Sequence, residues 1–143
     1  MSYHRHIFHL ITRTKDSEPT IPEHSKKEMF GYIFEICKRE GWKLIRINSH
    51  LDHMHMLVEL PGSILPDKVM HLVKGRTSAR FAGHSSFPMF RGWAQGYASF
   101  SVSYYEIDHI KNYIIGQEEH HKKESSSEEI NRILRECGFF DAE

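Results

Sequence analysis

The sequence DHMHMLV at residues 52–58 places two histidines two positions apart within an apolar run. Side chains two positions apart project from the same face of a β-strand. His53 and His55 therefore share one face, while the two methionines and Val58 share the other, where helices can pack on them. This stretch predicts a strand over His53–Leu60 with one chemically active face and one core face.

The neighbouring patterns place this strand third in a sheet of four. Short alternating stretches predict the other strands, and apolar residues at helical spacing predict two helices between them. The chain order is then a strand at Tyr3–Thr14, a helix at Pro22–Glu40, strands at Trp42–Ser49 and His53–Leu60, a helix at Pro66–Phe81 and a strand at Trp93–Val102.

This order predicts an α+β fold, the ferredoxin-like split βαβ sandwich, with an antiparallel sheet and helices on one face. We expect residues 1–103 to form this βαββαβ core. Residues 105–122 predict an extra C-terminal helix that carries Tyr113, and residues 125–137 predict a short last helix. The length of 143 residues corresponds to a single domain, 1–143.

Composition restricts the function only weakly. Lys+Arg and Asp+Glu both number 19, so the chain lacks the basic excess that is frequent in nucleic-acid-binding domains. Twelve histidines can add positive charge locally, because their reference pKa is near ~6.5. Cys37 and Cys137 are too few for a disulfide framework, which favours reduced thiols. We therefore expect a cytoplasmic protein with no signal segment and no membrane partner.

The histidine pair allows two interpretations. Two imidazoles on one strand face can share a divalent cation. Alternatively, His53 and His55 are two hydrogen-bonded histidines on a sheet, since such a pair arises by chance in a chain with 12 histidines.

Tyr113 and Gln117 form a second pair, four residues apart in the predicted C-terminal helix. This spacing places both side chains on one helix face, one turn apart. An apolar stripe of Ile107, Ile110 and Ile114 lies beside them. An isolated tyrosine at such a position is more often a core-edge residue whose hydroxyl is bonded to a neighbour.

Taken together, these motifs resemble the single-tyrosine HUH transposases of the insertion-sequence-200-like family, near its repeat-associated branch. The similarity covers most of the chain, including LVKGRTS at 72–78, SFSVS at 99–103 and YIIGQEEHH at 113–121. Gly116 departs from the family pattern, in which asparagine is more frequent. The resemblance implies that His53, His55 and Gln117 hold the metal. It also implies Mg²⁺ or Mn²⁺ as the cofactor, whereas ligand softness alone favours Mn²⁺.

The resemblance further implies a DNA transposase that cuts and rejoins single-stranded DNA, including hairpin ends. Tyr113 would be the catalytic nucleophile and form a 5′-phosphotyrosine intermediate. A phenol suits this role, because its reference pKa near ~10 makes it a better leaving group than an alkyl alcohol. The alternatives are a non-catalytic, domesticated single-stranded nucleic-acid-binding protein and a metal-dependent hydrolase of small phosphoesters.

Candidate DNA contacts are spread along the chain. The candidate cations and histidines are Lys74, Arg76, Arg80, Arg91, His120 and His121. Phe87 and Phe90 could stack on bases. The alternative interpretations are a solvated charged face, two core phenylalanines, and histidines that stabilise a helix terminus.

We also expect a homodimer with shared active sites, in which one subunit supplies His53 and His55 and the other supplies Tyr113. The shared arrangement comes from the family resemblance. The short polar connection Ser101–Tyr104 could act as the hinge that such an exchange needs.

Overall fold

The computed structural model describes residues 1–140 and contains one antiparallel sheet in the order β2-β3-β1-β4. Its strands are β1 (His6–Arg13), β2 (Lys43–His50), β3 (His53–Leu60) and β4 (Ala98–Val102). The helices are α1 (Lys26–Glu40), α2 (Pro66–Phe81), α3 (Ile107–Ile115), α4 (Gln117–His120) and α5 (Ser126–Glu136). The chain order β1-α1-β2-β3-α2-β4 confirms the predicted ferredoxin-like α+β fold.

The side chains of β3 alternate between two hydrophobic clusters, one on each face of the sheet. Helices α1 and α2 pack on one face of the sheet, as predicted, and bury Met54, Met56 and Val58. Leu57 projects from the opposite face into a smaller cluster with Ile7, Val102 and Ile114. Helices α3 and α5 therefore cover the face that carries the two histidines, so both faces of the sheet are covered.

Several predicted boundaries differ from the structure. Strand β1 begins at His6 rather than Tyr3, and α1 begins at Lys26 rather than Pro22. The predicted fourth strand, Trp93–Val102, is reduced to β4, because Gly92 and Gly96 adopt positive φ angles that interrupt an extended chain. Trp93 keeps only an isolated bridge to Thr14.

The predicted tyrosine helix at 105–122 is not continuous. Helix α3 ends at Ile115, where the Gly116 amide bonds to the carbonyls of Asn112 and Tyr113. The Asn48 side chain on β2 donates to the carbonyls of Ile114 and Ile115, at 3.0 and 3.2 Å. These carbonyls thereby gain hydrogen-bond partners outside the helix. A new helix, α4, then begins at Gln117.

The loop after α2 distinguishes the two interpretations of its phenylalanines, and the core interpretation is the correct one. Phe87 and Phe90 are 0% and 1% exposed and pack with Phe81 in the core, so their assignment to base stacking is wrong. Within residues 1–140, no helix combines the length and apolarity needed to cross a bilayer.

The buried position of Phe87 leads to a stability prediction. We expect Phe87→Ala to lower the free energy of unfolding by about 3–5 kcal/mol, because it leaves a cavity in a packed core. Denaturant unfolding followed by circular dichroism measures the change. Met89→Ala is the control, because Met89 is 68% exposed in the same loop. Equal unfolding midpoints for the two variants would contradict the packing described here.

Candidate metal and tyrosine site

His53 lies on β3 between two carboxylates. Its Nδ1 is 2.8 Å from Asp52 Oδ1 and its Nε2 is 2.7 Å from Glu129 Oε1. Burial alone would disfavour the charged imidazolium, but the hydrogen bonds to Asp52 and Glu129 outweigh it and raise the pKa of His53 to about 9. In the metal-free protein, His53 is therefore a cation that donates from both ring nitrogens.

His55 is held differently, although it lies on the same strand face. Its Nδ1 is 2.8 Å from Nε2 of His9, on the neighbouring strand β1. Its Nε2 has no hydrogen-bond partner, since the nearest carboxylate oxygen, Glu129 Oε2, is 3.5 Å away. Burial lowers the pKa of His55, and burial beside His55 lowers the pKa of His9 to about 3. His55 therefore presents a neutral imidazole nitrogen to the site.

Both histidines are completely buried, so the face predicted to be chemically active is covered as well as the core face. Their cover is supplied by the chain that follows β4. Helix α3 packs against β2, and the α5 residues Ile130 and Ile133 are also buried.

Tyr113 and Gln117 reach this site from α3 and α4. The Tyr113 ring centroid is 5.9 Å from that of His55, and the Tyr113 hydroxyl donates to Glu129 Oε2. Burial and the Glu129 carboxylate both raise the pKa of Tyr113. Gln117 donates from Nε2 to Glu129 Oε2 at 2.9 Å, while its buried Oε1 has no partner. The structure therefore brings the four predicted catalytic and metal-binding residues together.

Glu129 is the central residue of the site, and it was absent from the prediction. Its carboxylate is fully buried and accepts hydrogen bonds from His53, His121, Tyr113 and Gln117. Burial alone would raise the pKa of Glu129, but the hydrogen bond from His53 and the nearby His55 hold it well below its usual range. The sequence contains a signal for this burial: Glu129 lies four residues before Ile133, on the apolar face of α5.

Arg132 is a second residue of α5 that the prediction missed. Its Nη2 donates to the Tyr113 hydroxyl oxygen at 2.8 Å and to Glu124 Oε1, also at 2.8 Å. His120 contacts the same tyrosine through its ring, and the two stacked rings have centroids 4.2 Å apart. Tyr113 is thus held by side chains from both α4 and α5.

The unpartnered atoms allow a test of whether this site suits a metal ion. Ligand atoms of His53, His55 and Glu129 all lie within 4.8 Å of one another. Two atoms beside this group, His55 Nε2 and Gln117 Oε1, are buried and have no hydrogen-bond partner. They are an imidazole nitrogen and an amide oxygen, both lone-pair donors to divalent cations. The residues present therefore fit a divalent metal ion.

The predicted DNA contacts fall into separate regions. Lys74, Arg76 and Arg80 belong to α2, across the sheet from the histidines. Lys74 donates to the carbonyls of Ala94 and Gly96, and Arg80 lies 4.8 Å from the Tyr32 ring centroid. Arg91 is exposed and paired with Asp16 and Glu18.

His120 and His121 are the two predicted DNA contacts that lie at the site itself. His120 Nε2 is 3.1 Å from the Tyr113 carbonyl oxygen. His121 stacks on His50 with ring centroids 4.0 Å apart and bonds to Glu129.

Comparison with known proteins shows to which family the chain belongs. The family model described as "Transposase IS200 like" matches residues 2–117, which include both histidines, Tyr113 and Gln117. The chain belongs to the IS200-like transposase family. The family resemblance of the sequence is thereby confirmed. The matched region ends at Gln117, so α5 with Glu129 and Arg132 lies beyond it.

Two solved structures share the fold of this family member. One is a Deinococcus radiodurans R1 protein assigned as a transposase, with 20% identity and a TM-score of 0.58 over 81% of this chain and 93% of that one. The other is a REP-associated tyrosine transposase bound to a REP hairpin, with 13% identity and a TM-score of 0.64 over 85% and 74% of the two chains. No curated protein sequence matches the chain significantly.

Tyr113 lies beside the histidines of its own chain, and the predicted sharing of sites between subunits stays a prediction. The Ser101–Tyr104 connection does not extend away as a hinge. Ser103 and Glu106 close it with a reciprocal capping box, which turns α3 back over the sheet. All the groups named above therefore meet within one chain.

The raised pKa of His53 predicts how the stability of the metal-free protein depends on pH. Because the folded-state pKa of about 9 lies above the ordinary value of 6.5, protonated His53 contributes stability fully below about pH 6.5. That contribution is lost as the pH rises through about 9. We expect the melting temperature to fall over this range, measured by circular dichroism in the presence of a chelator.

Asp52→Asn is the informative variant for this prediction. It removes one of the two charges that hold the His53 proton, so the fall in melting temperature should become shallower. Asp108→Asn is the control, since Asp108 is an exposed residue of α3. A wild-type melting temperature that is constant from pH 6.5 to pH 9 would show that His53 does not carry the predicted proton.

Proposed function

We propose that this chain is a metal-dependent transposase that cuts and rejoins single-stranded DNA through a covalent bond to Tyr113. The observation that carries the proposal is the convergence of Tyr113 with His53, His55 and Gln117 in one buried site of a member of this family. A non-catalytic binding protein has no need of an unpartnered imidazole nitrogen beside a tyrosine hydroxyl. The covalent assay below separates these two functions.

We assign the metal ligands by their lone pairs. His55 Nε2 and Gln117 Oε1 have no hydrogen-bond partner. His53 Nε2 would join them as a ligand after releasing its proton to solvent, and a Glu129 oxygen would then be available as a further ligand. Mg²⁺ or Mn²⁺ bound there would polarise the phosphate and neutralise part of its negative charge. Asp52 and His9 bond to the Nδ1 atoms of the two histidines and so fix the orientation of the rings.

In the proposed reaction the Tyr113 oxygen attacks the phosphorus of a DNA phosphodiester. The bond from phosphorus to the 3′-oxygen breaks, which leaves a free 3′-hydroxyl and a 5′-phosphate on the tyrosine. Attack by another 3′-hydroxyl reverses the exchange and reseals a strand, so that no external energy source is needed. The stack of His120 on the Tyr113 ring and its bond to the Tyr113 carbonyl hold the nucleophile in place.

We propose single-stranded DNA, including hairpin ends, as the substrate. The related REP-associated enzyme is described as bound to a REP hairpin, which supports this substrate class. Zero net charge also argues against a protein that encloses duplex DNA by phosphate contacts alone, because such binding depends on many cations. His120 and His121 are the proposed contacts beside the reacting phosphate. Lys74, Arg76, Arg80 and Arg91 are proposed contacts for more distant DNA.

Tyr113→Phe should abolish the covalent adduct, because the ring still packs while the nucleophilic oxygen is lost. The probe is a 3′-end-labelled pool of random single-stranded DNA with Mn²⁺, analysed on a denaturing gel. The label must be at the 3′ end, since the tyrosine keeps the downstream fragment. Tyr105→Phe is the control, because Tyr105 is 96% exposed. An adduct formed by Tyr113→Phe would contradict the nucleophile assignment, and comparable cleavage of a blunt duplex would contradict the single-stranded substrate.

Mn²⁺ should raise the melting temperature of the wild-type protein, because a ligand that binds only the folded state stabilises it. His55→Ala should lose this rise. The variant should also melt lower without metal, because the substitution leaves a cavity and removes the partner of His9. His71→Ala is the control on exposed α2 surface. If His55→Ala responds to Mn²⁺ as the wild type does, the metal is not held by His55.

The cis arrangement predicts the outcome of a subunit-mixing experiment. Mixed Tyr113→Phe and His55→Ala chains should remain inactive, because each chain lacks one part of its own site. Return of cleavage after subunit exchange would instead support the shared sites expected from the family resemblance. Light scattering on the same mixture tests the proposed homodimer, which is a separate question from where the site residues originate.

A further inference from the structure

Helix α5 presents two oppositely charged side chains to the same hydroxyl. Glu129 and Arg132 are three residues apart, so both project toward Tyr113. The Tyr113 hydroxyl donates a hydrogen bond to Glu129 and accepts a hydrogen bond from Arg132 Nη2 at 2.8 Å. A guanidinium can only donate, so the bond from Arg132 persists and strengthens when the oxygen becomes negative.

The position of Arg132 is fixed by carboxylates that face away from the metal-binding histidines. Glu124 accepts from its Nη2 at 2.8 Å, and Glu136 accepts from its Nη1 at 3.3 Å. A cavity of about 160 Å³ opens beside Tyr113 and Arg132 and is also lined by His109. The guanidinium therefore lies at the edge of an open space, with its Nη2 directed at the Tyr113 oxygen.

Resting on the reaction proposed above, we propose that Arg132 is a further catalytic residue that stabilises negative charge on the Tyr113 oxygen. During cutting, the bond from this oxygen to phosphorus forms while the bond from phosphorus to the 3′-oxygen breaks. The departing 3′-oxygen keeps the electron pair and gains a proton, so that in net terms the phenolic proton moves to the 3′-hydroxyl. During rejoining, the Tyr113 oxygen leaves with the electron pair, and the guanidinium stabilises it again.

The energetics distinguish this role from a structural one. The Arg132 side chain is 35% exposed, and its ion pairs with Glu124 and Glu136 lie at the surface. Such pairs contribute little to stability. Loss of a hydrogen bond to a charged oxygen, in contrast, slows a reaction by roughly 10- to 100-fold. Arg132 should therefore affect the rate strongly and the melting temperature weakly.

The test measures single-turnover adduct formation on 3′-labelled random single-stranded DNA with Mn²⁺. Arg132→Ala should react roughly 10- to 100-fold more slowly than the wild type, with a similar melting temperature and similar DNA binding by fluorescence anisotropy. Arg132→Lys should recover part of the rate, because it keeps the charge without the planar fork. Arg135→Ala is the matched control, since Arg135 is exposed on the same helix.

Chemical rescue provides the decisive measurement. Added guanidinium ion should accelerate Arg132→Ala, because the truncated side chain leaves space open to solvent, while neutral urea of similar shape should not. Arg132→Gln repeats the rate comparison with a longer side chain if the alanine variant unfolds. Wild-type rates in Arg132→Ala or Arg132→Gln, or equal effects of guanidinium and urea, would overturn the proposal. If the wild type itself forms no adduct, the proposed function fails first and the inference fails with it.

Discussion

Hydrogen bonds to the buried carboxylate of Glu129 connect the helices of the C-terminal third of this protein to one another and to the sheet. A charged carboxylate without partners would be too costly to place in a protein interior. Four donors from three parts of the chain remove that cost: His53 on β3, Tyr113 on α3, and Gln117 and His121 on and after α4. Helix α5 is therefore docked by a polar contact as well as by its apolar residues.

The two sides of the site are held by different parts of the fold. His53 and His55 project from a central strand whose neighbours are paired along its whole length. Asp52 and His9 fix the rings from behind. Glu129 reaches the site from a short helix at the end of the described chain. The imidazoles are thus oriented by neighbours within the sheet and its adjoining turn, whereas the carboxylate depends on the packing of α5.

The break at Gly116 shows how a small departure from regular structure serves the site. A continuous helix would have left the last carbonyls of α3 inside their own ladder, whereas Asn48 now binds two of them from β2. This contact fixes α3 to the sheet edge, and α4 then begins with Gln117 facing Glu129. The helix that carries Tyr113 is thus joined by this pair of hydrogen bonds to β2, the strand that pairs with the histidine-bearing β3.

The sequence by itself determined the sheet, the opposite orientations of the histidines and methionines on β3, and the pairing of Tyr113 with Gln117. These features follow from periods of two and of about four residues, which are local properties of strands and helices. Only the packing of segments that are distant in sequence buries Phe87, Phe90 and the two histidines and places Tyr113 beside His55. It alone also brought Glu129 and Arg132 to the site. Glu129 is 76 positions from His53, and no local period relates residues at that distance, so only the packing of α5 over the sheet could bring them together.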